Sequence, residues 1–208
     1  QQLVDIIGKD VEIVVLENAD TDLISVSGQS PILQYLETNK NFCALAFTSV
    51  LQENNAYRFC CFQDSPVTVT DDFDFVTNPE MNEIRQRMIE DQPIDHCKNC
   101  VRAENENRAP IRKNKTKEIV DLLKFTSIQN IIEFNQPVDY DIRVGNQCNA
   151  MCRMCSASDS HLIDKEYSKL GIVKTQLGII PSTGFDIVDL QTIKKLYVAG
   201  GEPTITQE

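Results

Sequence analysis

Cys148, Cys152 and Cys155 fall within eight residues of the stretch 146-NQCNAMCRMCSASDS-160, with no fourth cysteine beside them. A structural zinc site takes four protein ligands. The nearest candidates for a fourth are Asp159 and His161, and His161 reads as a surface residue of a following helix. A cubane iron–sulfur cluster takes one cysteine per iron. With three thiolates, one iron keeps an open position that can bind a group from outside the protein. Three close cysteines also fit zinc or redox thiols, so the loop alone leaves these alternatives open.

Two other groups of residues bear on the choice. The stretch 198-VAGGEP-203 puts Gly200, Gly201 and Glu202 at the end of a strand-like run. Alone, a Gly-Gly-Glu is usually just a turn. The second group is Cys43, Cys60, Cys61, Cys97 and Cys100. Four of these thiols suit either a 4Fe–4S cluster or zinc. Neighbouring residues on a strand point to opposite faces, so Cys60 and Cys61 do not readily serve one site together. Cys60 is the preferred ligand. His96, beside Cys97, is expected to face solvent.

The C-x3-C-x2-C loop of 145-GNQCNAMCRMC-155, taken with the Gly-Gly-Glu of 198-VAGGEP-203, resembles the radical S-adenosylmethionine (radical SAM) superfamily. The resemblance implies a 4Fe–4S cluster on Cys148, Cys152 and Cys155, with S-adenosylmethionine on the open iron. It assigns Gly200, Gly201 and Glu202 to the methionine end of that cofactor and Met154 to its adenine. The cysteine of 43, the pair after a hairpin, the helix and the C-x2-C of 97–100 resemble the small auxiliary-cluster domain called twitch, related to SPASM. That likeness covers residues 41–107 and implies a second, auxiliary 4Fe–4S cluster on Cys43, Cys60, Cys97 and Cys100. A structural zinc knuckle is the alternative. The implied activity is reductive cleavage of S-adenosylmethionine to a 5′-deoxyadenosyl radical, which takes hydrogen from a substrate. A peptide or protein substrate and a reductant such as flavodoxin or ferredoxin are the implied partners. The rival reading is a non-catalytic zinc or iron–sulfur binding module.

Positioning these residues calls for an α/β chain. The run 137-PVDYDIRVG-145 alternates like a strand, the cysteine loop follows, 157–170 suits a helix, 185-FDIVDLQTI-193 a second helix, and 195-KLYVA-199 the next strand. That alternation fits parallel strands joined by helices. It is read as the start of a partial (β/α) radical SAM barrel over 137–208, after a helical connector over 108–136. Before these stands a small cysteine-rich α+β unit, hairpin plus helix, over 41–107. Within it, 42–62 reads as a hairpin with QENNA at its tip and Cys43 on the first strand. Asn78 and Pro79 open a helix to about 91 with Met81, Ile84, Met88 and Ile89 as its apolar stripe. The basic stretch 109–117 reads as a solvated connector, followed by helix with Ile119, Leu122 and Leu123 on one face. Residues 1–40, the tail of a preceding segment, hold a strand candidate at 11–17 and a short helix at 31–40.

The 208 residues carry a formal net charge of −11, which argues against unaided binding to nucleic acid or anionic membrane. There is no apolar run of bilayer length. A cytoplasmic location is expected, since clustered cysteines in such a chain more often bind metal than form disulfides. A start at Gln1 and an end just past a buried strand lead us to expect a fragment, with a truncated barrel inactive on its own.

Overall fold

The computed structural model describes residues 31–53, 56–67, 73–109, 111–173, 176–180, 187–203 and 205. The strand candidate at 11–17 lies outside them. Seven α-helices and four strands are found among the described residues, in a mixed α/β arrangement. The strands are β1 (Ser49–Glu53), β2 (Ala56–Arg58), β3 (Asp139–Arg143) and β4 (Lys195–Ala199), in the spatial order β2-β1-β3-β4. β1 and β2 pair antiparallel, with Glu53 opposite Ala56. β1 with β3, and β3 with β4, pair in parallel. One sheet thus joins the cysteine-rich segment to the segment after residue 137.

Register gives the sheet two unlike faces. Val50, Tyr140 and Leu196 lie side by side, as do Gln52, Ile142 and Val198. Tyr140 and Ile142 are wholly buried in the main core, with Val50. The opposite face carries Ser49, Asp139 and Lys195 in one row and Leu51, Asp141 and Tyr197 in the next. The period of two in 137–145 produces this split, because successive side chains leave a strand on opposite sides.

The helices follow from local chemistry. α1 (Pro31–Thr38) starts at a proline and buries Ile32 and Leu36, one turn apart. α3 (Pro79–Ile89) is capped by Asn78, whose side chain accepts the Met81 N–H at 3.0 Å. It buries Met81, Ile84 and Met88 as its stripe requires. A 3₁₀ turn, Asp95–Cys97, leads into α4 (Lys98–Asn105). α6 (Ile128–Phe134) opens on a reciprocal cap between Ser127 and Asn130 and ends at Asn135, in the left-handed region at φ 33°. α7 (His161–Lys169) follows the three-cysteine loop.

Four expectations are corrected. The first run of the supposed hairpin is not all strand: Leu45–Thr48 forms a short buried helix, α2, so Cys43 precedes a helix. A short apolar run buried on every side has no period to separate helix from strand. The basic stretch 109–117 is no solvated connector, for most of it belongs to α5 (Ile111–Leu123). Of the expected stripe on α5, Ile119 is buried and Leu123 packs against the core, but Leu122 is exposed; Arg112 and Thr116 are buried as well. The described part of the second helix candidate, 187–193, is turn and irregular backbone. Of the QENNA tip, positions 54 and 55 lie outside the described residues.

Candidate functional site

The loop after β3 and the loop after β4 meet at the carboxyl ends of two adjacent parallel strands. Ligands of open α/β sheets gather at such edges. The contact is backbone to backbone. The Val144 N–H donates to Ala199 O at 2.8 Å, the Gly201 N–H to Asp159 O at 3.0 Å, and the Glu202 N–H to Gln147 O at 2.7 Å. A Cβ on Gly200, at φ 92°, would stand 2.6 Å from the Gly145 carbonyl oxygen. One on Gly201, at φ 44°, would run into the carbonyl of Gln147. Both glycines were expected to make room for a cofactor. Their immediate role is to let the two loops close on each other.

Within the first loop, Cys148 is buried, Cys155 half-buried and Cys152 exposed. The Cys155 N–H donates to Cys152 O at 3.0 Å. Burial, and then the nearby Cys152, Asp159 and Cys148, raise the Cys155 thiol above its ordinary value. His161 is not the free surface residue expected: its Nδ1 accepts the Cys148 N–H at 3.1 Å, which leaves the ring proton on Nε2. Met154 is 93% exposed.

Two residues unnoticed in the sequence anchor the segment 177–180, one from this loop and one from α7. Asn146, fully buried, donates from Nδ2 to Gly178 O at 2.9 Å and accepts the Ile180 N–H on Oδ1 at 2.7 Å. Asp164, also fully buried, accepts the N–H groups of Leu177 and Gly178 on Oδ2. The only sequence signal was two polar residues beside apolar ones, which burial converts into backbone anchors.

The other cysteines line a separate cavity. Cys43, Cys60, Cys97 and Cys100 all border it, with Phe59 and Arg112 among the other walls. Cys61 does not; it faces a neighbouring groove with Arg102 and Arg108. Burial drives the thiols of Cys43 and Cys97 up, and pushes Cys100 up to about 11. Cys60 is raised by its hydrogen bond with Cys61, whose own thiol is lowered to about 7 by the same bond. The thiolate is the metal-binding form, so metal uptake in this cavity releases protons. His96 is not solvent-facing: its Nε2 lies 3.1 Å from Glu80, and its Nδ1 3.0 Å from the Ser65 hydroxyl.

Among the described residues, no group of three or more His, Cys, Asp or Glu is assembled as a site for a metal ion. The fit to a cluster rests on donor chemistry: four thiols on one cavity wall, and three in one loop beside a close-packed glycine pair. No disulfide joins any of the eight cysteines. Among the described residues, no helix is long and apolar enough to cross a membrane. No family model, curated protein or solved structure matches the chain.

Proposed function

We propose that this chain carries the first cofactor motifs of a radical SAM enzyme, preceded by a twitch-like auxiliary-cluster unit. The observation that supports this reading most is the meeting of the two motifs, about fifty residues apart in sequence, at one strand edge. Two backbone hydrogen bonds from Gly201 and Glu202 to the cysteine loop hold them together.

In this reading Cys148, Cys152 and Cys155 hold three irons of a 4Fe–4S cluster and leave the fourth for S-adenosylmethionine. With both bound, the site supplies electron-driven cleavage of the cofactor to methionine and a 5′-deoxyadenosyl radical that abstracts hydrogen. Glu202 is the acceptor for the cofactor's ammonium. Gly200 and Gly201 keep Glu202 beside the cysteines by permitting the close loop contact. His161 orients the backbone of Cys148 and so the first ligand. Cys43, Cys60, Cys97 and Cys100 hold the auxiliary cluster. A peptide or protein substrate and a flavodoxin- or ferredoxin-type reductant complete the proposal.

The test is anaerobic reconstitution of the full-length protein with iron and sulfide, followed by reduction with S-adenosylmethionine present. Release of 5′-deoxyadenosine is expected, abolished in Cys152→Ala. Glu202→Ala should lower it by roughly tenfold or more, since a hydrogen bond to a charged group contributes about 1.5–3 kcal/mol. Zinc at both cysteine groups, with no cofactor cleavage, would instead favour the non-catalytic binding module.

A further inference from the structure

Arg112 is an unexpected neighbour for four thiols. Its side chain is 4% exposed. It lines the cavity shared by Cys43, Cys60, Cys97 and Cys100. Its Nη1 donates to the carbonyls of Phe42 at 2.9 Å and Asn39 at 3.3 Å, and Phe42 immediately precedes Cys43. Its Nε and Nη2 grip the two oxygens of Glu104, each at 2.9 Å. Glu104 sits one helical turn beyond Cys100 on α4, the spacing that puts both on one side of a helix. A bidentate arginine–carboxylate pair thus stands directly beside the cysteine cavity.

We propose that Arg112 and Glu104 set the reduction potential of the cluster on Cys43, Cys60, Cys97 and Cys100, with opposite signs. This rests on the reading of that cavity as an iron–sulfur site. Reducing a thiolate-bound cluster adds one negative charge to a buried volume. The buried Arg112 guanidinium favours that added charge, and the partly buried Glu104 carboxylate paired with it opposes it; screening by water is weaker there than at the open surface. Bracing alone would account for the carbonyl bonds of Arg112, but it makes no demand on the sign of the charge.

The experiment uses the full-length protein with Cys148, Cys152 and Cys155 changed to alanine, so that only the auxiliary cluster is reconstituted. Its midpoint potential is followed by spectroscopic titration in three further variants. Glu104→Gln should raise the potential, and Arg112→Met should lower it. Each shift should be roughly tenfold in the reduction equilibrium, about 59 mV for one electron. Arg112→Lys, which keeps the charge, should return the potential towards the parent value. Glu104→Gln carries the test alone should Arg112→Met fail to fold. Iron bound at the parent level with unmoved potentials, or both shifts of one sign, overturns the inference and leaves the cluster standing. A parent protein that takes up no iron at these four cysteines overturns the cluster reading and this inference with it.

Discussion

At the residue scale, Gly201 was legible as special but for an incomplete reason. The sequence marked a glycine pair before an acid; only the fold reveals that the Gln147 carbonyl occupies the place of a Cβ. Gly201→Ala should cost about 1–3 kcal/mol in urea unfolding, the scale of a non-glycine residue held in a disfavoured backbone region. Gly171→Ala makes the control, because Gly171 has a similar φ of 68° and nothing near its would-be Cβ. Its cost should be the smaller, and equal costs would dismiss the close loop approach as the cause. Asp139 gives a pH prediction. Burial, relieved in part by Lys195 at 3.7 Å, raises its carboxyl above the ordinary 3.8. The folded state then binds the proton more readily than the unfolded chain, so Asp139 costs stability above its folded pKa and recovers it as pH falls through that value. Asp139→Asn should therefore gain most over the parent at neutral pH, and the gain should shrink as pH approaches 3.8. A gain that instead grows on acidification would contradict the assignment.

At the element scale, caps and periods were readable wherever one face of an element meets water. Asn78-Pro79 announced α3, and its methionine stripe is buried as the spacing demands. Asn78→Ala should cost about 1 kcal/mol, the usual worth of an N-cap, measured as a shift of the urea midpoint at unchanged slope. The alternation in 137–145 announced β3 because its two faces differ: one is fully buried and apolar, the other half-buried and charged. Reading failed where burial is complete or where charge is buried. Leu45–Thr48 is enclosed on all sides, so its composition is compatible with either strand or helix. In 109–117, lysines and arginines suggested a solvated linker, yet Arg112 points inward because Glu104 and three carbonyls satisfy its donors. A buried arginine with a full set of partners looks, in one dimension, like any exposed one.

At the scale of the whole molecule, β1 couples the segment that holds Cys43, Cys60, Cys97 and Cys100 to the strand that feeds the three-cysteine loop. Metal at Cys43, Cys60, Cys97 and Cys100 should therefore stabilise the sheet as well as its own cavity. Anaerobic chelation of the reconstituted protein should lower Tm by several degrees, because a ligand bound only by the folded state adds to its stability. Cys43→Ser should show a reduced response. What the sequence determined by itself was the inventory: two cysteine groups, a Gly-Gly-Glu after a strand, and the α/β order from residue 137 on. These follow from residue type and short-range spacing, which survive in any conformation. Only the tertiary structure decided which thiols share a cavity, that Cys60 rather than Cys61 lines it, and that a charge pair stands at its wall. It alone brought Gly201 and Glu202 onto the cysteine loop. Those are contacts between residues far apart in the chain, created when strands pair in register, and no local pattern encodes them.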